Sequence, residues 1–274
     1  MLSREQAAGF TLVELLVSLF LTGIVLVLMS GVFSGSSHAR RQMNLRTEVQ
    51  QGLRSLAEMV TGELRQAGAC LPPVGQFISL EGTDGGDQDG LLLRIGRTHG
   101  STLVCVQAAA DAPTRAGGAT FQVDSTSGFE TGGLVYVTPN GATGDFYTVA
   151  GLTDTTLTVD RPVVADHPVG TGIYAVDERV YEIDTASYGR PVLTVSIDGG
   201  SAQPFVDGVE AFDVAYVLDP CPPCDTVGLP VDATEWRLVR EIAIEAAVRS
   251  RTVGDDGEYV HESGEFRVKP RNLL

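Results

Sequence analysis

The sequence predicts an α+β protein: a long N-terminal helix packed on an antiparallel β-sheet, with a small all-β module inserted in the body. Three observations predict it. Phe10 to Phe33 is a continuous apolar run whose only charge is Glu14. From about Arg40 to Ala67, apolar residues recur at steps of three and four. Beyond Cys70 the spacing falls to two, between turns rich in Gly, Asp, Asn and Pro.

Residues 1–9, MLSREQAAG, read as a short polar leader in which Arg4 and Glu5 cancel. A secretory signal peptide carries its small-residue cleavage site after the apolar run. Here the small residues and Gly9 precede it. As a helix, residues 10–33 reach roughly 36 Å, against about 30 Å of hydrocarbon. An isolated carboxylate there costs about 2.5–3.5 kcal/mol, so Glu14 calls for a partner.

The run Gly9, Phe10, Thr11, Leu12, Val13, Glu14, Leu15, Leu16 resembles the N-terminus of the type IV prepilin family, which includes the pseudopilins of type II secretion. The resemblance implies cleavage after Gly9 by a prepilin peptidase, N-methylation of Phe10, and assembly with other pilin subunits on an inner-membrane platform. Glu14 matches the family's glutamate at the fifth position after the cut. Cleavage would leave an ammonium on Phe10, and a neighbouring subunit's Glu14 could neutralise it; each charge is costly alone in lipid, and the pair favours one register. One pattern opposes this topology: Arg40, Arg41 and Arg46 follow the span while only Arg4 precedes it. Charge bias would place the body in the cytoplasm. The cleavage motif and the cysteines argue instead for a periplasmic body that moves to the cell surface.

Residues 34–68 read as an amphipathic continuation of the helix. Leu45, Val49, Leu53, Leu56, Val60, Leu64 and Ala67 form one stripe, with Arg46, Glu48, Arg54, Glu58, Glu63 and Arg65 elsewhere, and Gly68 is a stop. Gly31 and Gly35 have the GxxxG spacing, which suits a hinge, a close-packing site or a soft spot in one long helix.

Residues 69–274 form the β-rich body. Strands are expected at Leu91–Ile95, Phe121–Val123, Leu134–Thr138, Phe146–Val149, Thr155–Val159, Ile173–Ile183, Val192–Ile197 and Ala211–Leu218. Short strands at 115–171 suggest a separate small barrel or sandwich. Asp232 or Thr234 caps a helix to about Arg240, then Ile242, Ile244, Ala246 and Val248 share one strand face, and a last strand covers Glu265–Lys269. Trp236, Ile242-Ala-Ile244, Val248-Arg249-Ser250, the closing Phe266 to Leu273 stretch and the Asp84–Gly90 turn resemble minor pilins of the PilW type and minor pseudopilin J of type II secretion. The resemblance implies a pilin-like fold and a non-enzymatic subunit that primes assembly near a filament tip. A pseudopilin, or a tip adhesin using 115–171, is the alternative.

A net charge of −16 argues against a broad phosphate-binding surface, so nucleic acid is not an expected partner. Thirty-two glycines and 7% aromatics fit a turn-rich β body. Cys70, Cys105, Cys221 and Cys224 allow three pairings, of which Cys70–Cys105 and Cys221–Cys224 are favoured outside the inner membrane. Cys221-Pro-Pro-Cys224 could also be a redox motif or half of a metal site, although no helix follows it to lower a thiol pKa. His38, His99, His167 and His261 show no ligand spacing and read as surface residues. Asp84, Asp87 and Asp89 sit in a glycine-rich loop that offers Ca²⁺ oxygens without EF-hand spacing. No cofactor is implied. Phosphate-loop, GxSxG and HExxH motifs are missing, so enzymatic activity is not expected.

Overall fold

The computed structural model describes residues 12–72, 79–85, 88–100, 104–219 and 225–270. Its first element, α1, is an unbroken helix Leu12–Leu64 that passes through Gly31 and Gly35 without interruption. Two compact units divide the chain. One holds the helix up to Glu48 together with Ser250–Val260; the other holds Val49–Arg249 and the chain from His261.

In the first unit, Asp255 accepts from Arg41 Nη1 at 3.2 Å and lies 2.7 Å from His38 Nδ1. The loop is itself folded: Val260 donates to Ser250 Oγ at 3.0 Å, and Gly254 to Glu258 O at 2.6 Å.

In the second unit, the amphipathic spacing becomes burial. Val49, Leu56, Val60 and Leu64 are buried, and Leu53 is half-buried. After Leu64 the chain turns, with Gly68 at φ 74°. Its amide donates to Arg94 O at 2.9 Å, docking the helix end on the sheet. At Gly96 a Cβ would fall 2.6 Å from Cys70 Cβ and 2.8 Å from Ala69 O, so only glycine permits this approach. Arg179 pairs with Glu63 and fixes the last helical turn to the sheet.

The larger sheet contains β1 (Leu80–Thr83), β2 (Gly90–Gly96), β3 (Gln107–Ala109), β4 (Thr120–Gln122), β5 (Leu134–Thr138), β6 (Asp145–Leu152), β7 (Thr156–Val159), β8 (Gly172–Asp184), β9 (Val192–Ile197) and β10 (Gln203–Asp207). All its pairings are antiparallel. The smaller sheet has the order β12 (Asp225–Val227), β11 (Val209–Leu218), β13 (Val239–Arg249), β14 (His261–Val268). Ile242, Ile244, Ala246 and Val248 are buried on one face of β13, as their period predicts. Val248 and Gly264 receive Gly52 and Leu53 of the helix. Asp232 caps α2 (Ala233–Leu238), accepting from the Thr234 and Glu235 amides at 2.7 and 3.0 Å.

β8 organises the larger sheet because its two halves have different neighbours. Its second half lies between β2 and β9. Its first half lies between β3 and β5. From β5 the pairing continues through β6 and β7 to β4. The Ala110–Val123 bridge and the Asp111 N to Gln122 O bond then return from β4 to the end of β3. The ring β8-β5-β6-β7-β4-β3 is thus closed. Alternate residues point inward: Phe121 and Val123, Val135 and Val137, Tyr147 and Val149, Leu157 and Val159, Ile173 and Ala175. A closed ring leaves no strand edge to protect.

The 115–171 expectation is corrected in two respects. The module extends further, because residues 106–110 and the first half of β8 are staves of the barrel. It is also not separate, since β8 runs from the barrel into the larger sheet.

Candidate functional site

The sequence places the functional chemistry at the N-terminus. Gly9 and Phe10 lie outside the described residues. Glu14 stands in the first turn of α1. Beyond it, Phe20, Leu21, Ile24, Leu28 and Phe33 are exposed, and nothing among the described residues covers the apolar window. An apolar helix with no internal face to bury needs lipid or other helices as its environment. The hydroxyls in this stretch are satisfied within the helix: Ser18 Oγ donates to Leu15 O at 2.9 Å, and Thr22 Oγ1 to Ser18 O at 2.7 Å. Positions 23, 31 and 35 have open space where a Cβ would stand, so another helix can approach closely.

Residues 5–30 match the family described as the prokaryotic N-terminal methylation motif. The segment carries the N-terminal methylation motif that the resemblance to type IV prepilins implies. A long apolar N-terminal helix followed by antiparallel sheets is the pilin-like arrangement the resemblance implies. Among solved structures, a type IV-like pilin from Thermus thermophilus is similar, with 14% identity over 82% of this chain and 96% of that one, at a TM-score of 0.40. No curated protein matches the chain.

The other sites named from sequence fare differently. Cys70 and Cys105 form a disulfide. Cys221 and Cys224 lie outside the described residues, as does Asp87. Asp89 serves the fold: its carboxylate accepts from Val214 N at 2.8 Å and Gly85 N at 3.2 Å, and its own amide donates to Phe212 O. These bonds tie the start of β2 to β11. Among the described residues, no three His, Cys, Asp or Glu side chains converge as metal ligands.

The reading of all four histidines as surface residues is corrected at His167, which is 2% exposed. His261 pairs with Glu210 at 2.8 Å, and His38 with Asp255. Several arginines of the body are engaged by carboxylates. Arg97 meets Asp177 at 2.7 Å, Asp198 at 3.1 Å and Glu130 at 3.3 Å, while Arg94 meets Glu81 and Glu178. Burial raises the Asp198 pKa. Nothing in the one-dimensional pattern signalled either the burial of His167 or the closure of the barrel, because both depend on which strands pair.

Proposed function

We propose that the chain is a minor pilin that assembles into, or primes assembly of, a type IV pilus. In this reading prepilin peptidase removes residues 1–9, Phe10 becomes the methylated N-terminus, and α1 passes from the inner membrane into a filament. The methylation motif over residues 5–30, leading into an apolar helix that the described residues do not bury, carries the reading. Glu14 is the registering group. Paired with a neighbour's Phe10 ammonium, it recovers much of the cost of its own desolvation.

The test is incorporation of Glu14→Ala into sheared, sedimented filaments. The variant is expected to reach the membrane at wild-type level and to be depleted from filaments at least tenfold. Equal recovery in filaments overturns the role of Glu14. Mass spectrometry of the filament-borne chain should show a methylated Phe10 as its first residue.

A binding role at the tip is favoured by one observation: the barrel is a closed body with a core of its own. In this second reading the pilin part carries the barrel to its target. A pseudopilin of type II secretion would share the N-terminal chemistry and differ in its partners.

A further inference from the structure

One end of the barrel is closed by a ribbon in which residues 110–118 run antiparallel to 163–171. Thr114 and His167 exchange backbone bonds of 2.8 and 2.7 Å, and Gly117 donates to Val163 O at 2.9 Å. The ribbon lies at the end where β4 and β6 begin and β5 and β7 finish. Val163 belongs to the barrel core. The His167 ring meets Phe121 edge-on, with centroids 5.4 Å apart and planes at 73°.

Among the described residues neither ring nitrogen of His167 has a hydrogen-bond partner, and the residue is 2% exposed. A neutral imidazole in this position leaves one N–H donor unmet; an imidazolium leaves two and buries a charge. We propose that His167 is an acid-sensitive latch: the neutral ring holds the ribbon on the barrel, and its protonation releases the ribbon from the barrel end. Burial lowers the proton affinity of the ring; the Asp145 carboxylate at the start of β6 and that of Asp166 on the ribbon itself act in the opposite direction but do not prevail. The Thr114 hydroxyl commits its proton to Thr120 O at 3.1 Å and so does not donate it to the ring. Release would expose Phe121 and Val163 at the barrel mouth.

The direction follows from linkage. An open ribbon returns His167 to an ordinary pKa of about 6.5, so the open state binds the proton first. Closure is fully favoured above that pH. It weakens as pH falls below it, until the lowered pKa of the closed state is reached.

The test is hydrogen exchange of the full chain in detergent micelles at pH 7.5 and 5.0, corrected for intrinsic exchange. Amides of 110–118 and 163–171 are expected to lose up to about thirtyfold in protection at pH 5.0, the ceiling for one group with an ordinary pKa near 6.5. β2, β8 and β9 should keep theirs. His167→Phe, which retains a ring against Phe121, should make the ribbon insensitive to pH. An unchanged ribbon in the wild-type chain overturns the proposal without any variant. So does an equal loss in His167→Phe, which would assign the effect to the carboxylates, and so does a loss spread over the whole sheet.

Discussion

Cys70 holds the left-handed conformation, at φ 60°, just beyond the helix end. A β-carbon there costs energy, and the bond to Cys105 helps hold the residue in place. The two cysteines are 35 positions apart. Closing a loop of that size removes denatured-state entropy worth about 3–4 kcal/mol in the chain-entropy treatment. Cys70→Ser with Cys105→Ser is therefore expected to lower stability by about that amount, read from the denaturation midpoint of the detergent-solubilised chain. Reductant should produce at least that loss in the wild-type protein, and in the double variant only what the short Cys221–Cys224 loop contributes. Four cysteines in a sequence leave three pairings, so this partner was a preference that the fold made definite. Asp89 shows the reverse case. As one carboxylate in a glycine-rich loop it reads as part of a polar turn, with Ca²⁺ binding as the lesser alternative. Its use by the Val214 amide depends on β11, some 125 residues away in sequence, and no local pattern records it.

At the scale of elements, the sequence was informative wherever a segment was long and one-sided. The stripe from Val49 to Ala67, the alternation in β13 and the cap at Asp232 all appear as expected. β1, β3, β10 and β12 went unread. Each is five residues or shorter, which leaves little room to display a period. Pro204 further disguises β10, where the register shifts between Pro204 and Val206. The hinge option at Gly31 and Gly35 is not used in this structure, since α1 continues through both. The helical stripe also gives a test of what holds the body together. Leu56 is fully buried at the centre of the stripe. Leu56→Ala should destabilise the body by about 2–5 kcal/mol through lost burial and the cavity left behind. Truncating Met59, which is 41% exposed on the same helix, should cost far less. Chemical denaturation of the two variants side by side decides it; equal losses would mean that the stripe is not the packing face.

For the whole molecule, the relation of barrel to sheet is the main point. Gly96 pairs with Val176, and Arg97 N donates to Ala175 O at 2.9 Å. β2 and β8 are therefore the two arms of one hairpin, and residues 98–174 occupy the position of its turn. Replacing 98–174 by Asn-Gly would restore a two-residue hairpin of the type that matches strand twist. Cys70→Ser must accompany the change because Cys105 is removed. The excised chain is expected to keep a cooperative unfolding transition at a lower midpoint. The drop arises because Leu71 and Val176 lose cover from Leu134, Tyr136, Phe146 and Tyr174, and Arg94 loses the Phe146 ring 4.8 Å beneath it. A non-cooperative product would show that the barrel is integral to the sheet and not an elaboration of a turn. Provided that it folds, the same variant separates the two functional readings. Filaments that still form but no longer attach to a surface make the barrel a binding module. Filaments that fail to form, from a chain that is folded and membrane-inserted, place the barrel's role in assembly.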